Sequence, residues 1–121
     1  MVNAKPIDKK KIVKTFLVQL KTEVRAGNFR VIKRKNESRD YLREFGWTPS
    51  NFFDFLCENL TYEDWLNGPV NDLNGTPGNI WEFGKHINGI EFYIKIKEYS
   101  GVKCLSFHEA RKPCVYHLKG K

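Results

Sequence analysis

Four side chains that together could cleave a phosphodiester fall in the last third of the chain: the carboxylate of Glu82, the phenol of Tyr93, the ammonium of Lys95 and the imidazole of His108. Their spacing puts them on one surface if the segments around them are strands. Asn88-Gly89 is the favoured dipeptide of a two-residue type I′ hairpin, whose two central residues both need positive φ. A loop made of that pair sets Ile87 opposite Ile90, Phe83 opposite Ile94 and Trp81 opposite Ile96. These apolar pairs share a face, so the register agrees with the hydrophobic pattern. The other face then sets Glu82 opposite Lys95 and Gly84 opposite Tyr93. Ser100-Gly101, read as a second two-residue turn, sets Val102 opposite Tyr99, Leu105 opposite Ile96 and Phe107 opposite Ile94. It brings Ser106 beside Lys95 and His108 beside Tyr93.

Neighbouring strands lie about 4.8 Å apart, so the polar patch spans on the order of 10 Å, the size of a site for one phosphodiester. Attack by an RNA 2′-hydroxyl on its own phosphate needs a base for that proton, an acid for the leaving 5′-oxygen and positive charge for the phosphorane. Glu82 suits the base. His108 suits the acid, because an imidazole changes charge near neutrality. Lys95 suits charge stabilisation, and Tyr93 suits a hydrogen bond to phosphate or stacking on a base. Gly84 is expected to leave a gap beside Tyr93 where a ligand approaches. The chemistry requires no metal or cofactor, and no acidic cluster that would bind a metal stands out. The ordinary alternative is a solvated strand surface, on which Glu82 and Lys95 form a weak cross-strand ion pair. His86 and His117 align with nothing and read as surface.

The elements that must position this patch are legible in outline. Residues 8–26 read as an amphipathic helix, with Ile12, Phe16, Leu20 and Val24 at helical spacing, Asp8 as N-cap and Gly27 as the stop. Residues 28–35 read as a brief strand or extended link. Residues 37–45 read as a second helix ended by Gly46, and Thr48-Pro49 opens a third that ends near Asn59. Residues 61–66 read as a strand or a 3₁₀ turn, and residues 68–78, rich in Gly, Pro, Asn and Asp, as a loop. From Asn79 onward the period is two. The expected fold class is α+β: N-terminal helices packed on a C-terminal antiparallel sheet, in a single domain over residues 1–121.

A chain of 121 residues, 40% hydrophobic, supports one globular core. No apolar run approaches the roughly 20 residues of a membrane-spanning helix, and the N-terminus lacks a signal-peptide core, so a cytoplasmic location and no membrane partner are expected. Cys57, Cys104 and Cys114 are odd in number and contain no CxxC pair, which argues against a disulfide framework or structural zinc. The net charge of +7 is concentrated in the first 60 residues, which carry +6 of it. Such an excess points to a polyanion partner. The candidate RNA-binding residues of this stretch are Arg30, Lys33, Arg34 and Lys35, set near Phe29 and Tyr41.

The runs LTYEDW, GPVND, IWEFGK, FYIKIK and CLSFHEAR, in that order between Leu60 and Arg111, resemble the MqsR family of type II toxins. The resemblance implies a RelE-like fold, an endoribonuclease acting on messenger RNA, and a neutralising cognate antitoxin as protein partner. Tyr93 and Lys95 match the family's Tyr-x-Lys strand. Glu82 falls at the polar position after Ile-Trp, His108 stands where the family pattern has lysine, and Asn67 replaces another of its lysines, a loss for which Lys85 or Arg111 is the expected substitute in binding RNA. Two readings from other classes stand beside this one: a non-catalytic RNA- or ribosome-binding module, and a protein-interaction domain.

Overall fold

The computed structural model describes residues 8–33 and 39–121. Helix α1 (Lys9–Arg25) is followed by strand β1 (Phe29–Val31), helices α2 (Tyr41–Phe45) and α3 (Pro49–Asn59), a 3₁₀ turn (Tyr62–Asp64), and strands β2 (Trp65–Asn71), β3 (Asn79–Ile87), β4 (Ile90–Glu98) and β5 (Val102–Glu109). The class is α+β. The sheet is mixed rather than antiparallel throughout: its order is β1-β5-β4-β3-β2, and β1 runs parallel to β5.

The helix ends follow the expected local chemistry. Asp8 accepts the Lys11 N–H at 3.1 Å, Thr48 and Asn51 form a reciprocal capping box with Pro49 in the first turn, and Gly46 closes α2 in the left-handed region. The helices cover one face of the sheet. Phe16 of α1 stacks on Trp81 of β3 at 4.3 Å, and Phe52 of α3 meets Phe107 of β5 at 4.8 Å. Val13, Leu20, Phe52, Phe53, Phe83, Ile94 and Ile96 are fully buried between the layers.

The β3–β4 hairpin has the expected register from Ile87↔Ile90 through Glu82↔Lys95, with Asn88 and Gly89 at φ 53° and 79°. The β4–β5 connection differs. Its turn holds three residues, so Val102 pairs with Glu98 rather than Tyr99, and Cys104 rather than Leu105 faces Ile96. A bulge at Leu105 then restores the expected pairs Lys95↔Ser106, Ile94↔Phe107 and Tyr93↔His108. The longer turn has a physical reason at Gly101. This residue, at φ 105°, lies against the Asn28 carbonyl, where a Cβ would stand 2.6 Å from the oxygen. That approach lets the Val102 N–H donate to Asn28 O at 3.0 Å and start the parallel pairing with β1.

Residues 68–78 are only partly a loop. Strand β2 runs on through Gly68 and Pro69 to Asn71, with two register shifts against β3. Proline is tolerated because β2 is an edge strand. The loop beyond it is fastened to the polar face: Lys97 Nζ donates to Asp72 Oδ2 at 2.8 Å and to Thr76 Oγ1 at 2.7 Å. The Lys97 ammonium, with the Asn74 N–H and the Thr76 hydroxyl, holds the Asp72 carboxyl down at about 2. A carboxyl lowered on folding contributes stability above its ordinary range, and that contribution fades as pH falls toward the lowered value. The melting temperature of the parent should therefore drop more steeply than that of Asp72→Asn between about pH 4 and pH 2. Thermal melts followed by circular dichroism across that window check this, and parallel curves would exclude Asp72 as the titrating group.

Candidate active site

Odd-numbered residues of β4 and even-numbered residues of β3 point away from the helices. After the Leu105 bulge, so do Ser106 and His108 of β5. Glu82, Tyr93, Lys95 and His108 consequently line one cavity of about 510 Å³, with Asn67 of β2 at its margin. The Tyr93 hydroxyl donates to Glu82 Oε1 at 2.5 Å, within the short range of O–H···O⁻ bonds. The Tyr93 ring in turn stacks on the His108 ring, centroids 5.3 Å apart and planes 29° apart. His108 Nδ1 lies 2.8 Å from the Glu109 carbonyl oxygen. A carbonyl only accepts, so Nδ1 carries the hydrogen, and Nε2 is the nitrogen left to take up or release a proton. Lys95 has no hydrogen-bond or ion-pair partner among the described residues, so its charge is available to a ligand.

The outer wall of the cavity is the chain that follows β5, residues 110–117. Glu91 fastens it: one carboxylate oxygen accepts the Cys114 N–H and the other the Tyr116 hydroxyl, both at 2.8 Å. Burial works against the charged form of Glu91, but these hydrogen bonds outweigh it, and its carboxyl sits below the usual range. Burial, reinforced by the bond to Glu91, pushes the Tyr116 phenol far up, so it stays a neutral donor. The expected gap at Gly84 is filled by this segment. A Cβ there would stand 2.7 Å from the Tyr116 hydroxyl and 3.0 Å from Cys114 Sγ. The glycine makes room for the chain's own tail rather than for a ligand.

Arg111 joins the four catalytic candidates in the cavity lining, while the other RNA-binding candidates do not. Lys85 is on the helix side of β3, as its odd position requires, and donates to Asn59 O at 2.9 Å while pairing with Asp64 at 3.1 Å. There it satisfies a carbonyl at the end of α3, the end of a helix that favours a cation, and its charge is spent inside the fold. Arg30 is on β1 beside Lys103, outside the cavity lining. Lys33 is exposed beyond β1 and borders a separate, larger cavity of about 630 Å³ between β1 and α2. That cavity contains no histidine, and its Arg39 is engaged by Glu44 at 2.7 Å. Arg34 and Lys35 lie outside the described residues.

No protein-family model, curated protein or solved structure matches the chain. Sequence reasoning missed His117, which is exposed as expected yet lines the same cavity as His108, its ring edge-on to Trp65 at 5.8 Å. Lys112 and Cys114 join it there. Burial, then the Glu91 charge, push the Cys114 thiol up, and burial does the same to Cys57. Neither is thereby primed as a thiolate nucleophile. Among the described residues no group of three or more His, Cys, Asp or Glu side chains is placed to hold a metal ion, and no helix is long and apolar enough to cross a membrane.

Proposed function

We propose that this protein is a RelE-like endoribonuclease toxin of the MqsR type, which cleaves messenger RNA in the cytoplasm and is neutralised by a cognate antitoxin. The observation that carries the reading is the single cavity in which Lys95, unpartnered among the described residues, meets a carboxylate–phenol–imidazole array, Glu82–Tyr93–His108. In this mechanism Glu82, oriented by the Tyr93 hydroxyl, accepts the proton of the RNA 2′-hydroxyl. The 2′-oxygen bonds to phosphorus, the bond from phosphorus to the 5′-oxygen breaks, and that oxygen takes the proton on His108 Nε2. Lys95 offsets the charge gathering on the phosphorane, and Arg111 holds the flanking phosphate. The products are a 2′,3′-cyclic phosphate and a 5′-hydroxyl, with no metal in the reaction.

Purified protein incubated in EDTA with a long single-stranded RNA, alone and on translating ribosomes, tests this. Discrete fragments with cyclic-phosphate ends are expected. Glu82→Gln keeps the size of the side chain and removes the base, and it should slow cleavage by about 10²-fold or more. Intact RNA in both settings would leave the non-catalytic binding module as the better account, and equal cleavage by the variant would take the base role away from Glu82.

A further inference from the structure

The cavity contains a second imidazole on the wall opposite His108. His108 stands on β5 and His117 against Trp65 of β2, with β4 and β3 between them carrying Lys95, Tyr93 and Glu82. A cavity that would hold a phosphate over Lys95 and Glu82 is thus lined by two imidazoles.

Three features set His117 apart from an ordinary surface histidine. Its backbone is held on both sides: Tyr116 is bonded to Glu91 at 2.8 Å, and Leu118 is buried in the core. Its ring is placed by the edge-on contact with Trp65, itself buried and hydrogen-bonded through its indole N–H to Gly68 O at 3.2 Å. Neither ring nitrogen has a hydrogen-bond or ion-pair partner among the described residues. A side chain with a fixed base and both polar atoms unused is placed to meet a ligand in that cavity.

Charge indicates what it would do. A phosphodiester brings one negative charge beside the Glu82 carboxylate, and the phosphorane formed from it carries more. Lys95 is the cation on the floor of the site. We propose that His117, in its protonated form, is a further cationic contact to the substrate phosphate, beside Lys95 and Arg111. The inference rests on the ribonuclease reading for the identity of the substrate but concerns binding alone. From the sheet, the titratable groups facing His117 across the cavity are Glu82, Tyr93, Lys95 and His108. From its own segment they are Arg111, Lys112 and Cys114. On the outer side Glu63 holds the Gly120 N–H at 3.0 Å. The contact needs the charged form of the ring, so its contribution falls as the pH is raised.

The test uses the full chain and a fluorescent 2′-O-methyl RNA oligonucleotide, which keeps the phosphates and lacks the attacking hydroxyl. Its affinity is measured by anisotropy at fixed salt from about pH 5.5 to pH 8, spanning the imidazole range. The parent should lose roughly tenfold in affinity across that range, the scale of one charge-assisted hydrogen bond. His117→Gln should bind more weakly than the parent at low pH, with a shallower profile. His117→Lys should keep at high pH the tight binding that the parent loses, a rescue that a merely structural role would not give. A His117→Gln profile parallel to the parent's, or no binding by the parent at any pH, overturns the proposal. Binding with the His117 signature but no cleavage of unmodified RNA, either alone or on translating ribosomes, would remove the ribonuclease reading and leave the phosphate contact standing. Cleavage without that signature would do the reverse.

Discussion

Replacing His108 with alanine should slow RNA cleavage by about 10²–10⁴-fold, the range for loss of a positioned acid or base, while the thermal melt stays close to the parent's. The two halves of this expectation have separate physical sources. His108 is half-buried on the polar face, and its contacts there are one hydrogen bond to its neighbour's carbonyl and a stack on Tyr93. Removing an imidazole of that kind leaves no cavity in the core, so stability should change by no more than about 0.5–1 kcal/mol. The chemical step is another matter. In the proposed mechanism the Glu109 carbonyl keeps the hydrogen on Nδ1 and leaves Nε2 to protonate the leaving oxygen, and alanine supplies no proton there. A substrate whose 5′-oxygen is replaced by sulfur, a far better leaving group, needs no acid. It should therefore be cleaved at similar rates by the parent and by His108→Ala. That comparison, made alongside the oxygen substrate, separates a lost acid from a displaced strand. A variant that is slow on both substrates would mean that His108 holds Tyr93 and Glu82 in place instead of transferring a proton.

How far the sequence anticipated this site depends on which contacts are local. The Asn88-Gly89 turn sets the β3–β4 register by itself, because positive φ at two adjacent residues admits one tight hairpin, and Glu82↔Lys95 and Gly84↔Tyr93 followed directly. The β4–β5 pairing was reached through two compensating departures. The turn is one residue longer than its sequence suggests, because Gly101 must come up against Asn28, a residue more than seventy positions away in the chain. The bulge at Leu105 then takes back the slip. No pattern within residues 99–109 shows either event. Lys85 shares the odd register of Trp81, Phe83 and Ile87, so the hairpin itself puts it on the helix side; what no local pattern shows is the end of α3 and the Asp64 carboxylate that take up its charge there. The tail was least legible of all. Residues 110–118 form no regular helix or strand, so neither the 3.6 nor the 2 period applies. Their position comes from one carboxylate, Glu91, and from the room left by Gly84. A glycine in a strand does signal a close approach, but not which segment approaches.

Phe107→Ala should be the most damaging single change in the fold, and its effect links the core to the site. The ring is buried at the centre of an aromatic cluster, with Phe52 and Phe92 at 4.8 and 4.9 Å and Phe45, Tyr41 and Trp47 at 6.2, 6.3 and 6.4 Å. These residues come from α2, α3, β4 and the turn that joins the two helices, so one side chain ties the helical layer to the last strand. Truncating a buried phenylalanine costs about 3–5 kcal/mol, a large part of the roughly 5–15 kcal/mol that holds a domain folded. The melting temperature should fall on the order of 10–20 °C. Phe107→Leu keeps most of the volume and should cost less than about 1.5 kcal/mol. Phe107 also stands between Ser106 and His108, which face the opposite way, so the cluster fixes the strand on which the imidazole rides. Cleavage by Phe107→Leu should consequently stay within a few-fold of the parent, with its small loss in step with its small loss of stability, whereas His108→Ala separates the two quantities. A melting temperature for Phe107→Ala within 2–3 °C of the parent, about 1 kcal/mol or less, would contradict the packing of α2 and α3 on β5 and, with it, the argument that the core orients the site.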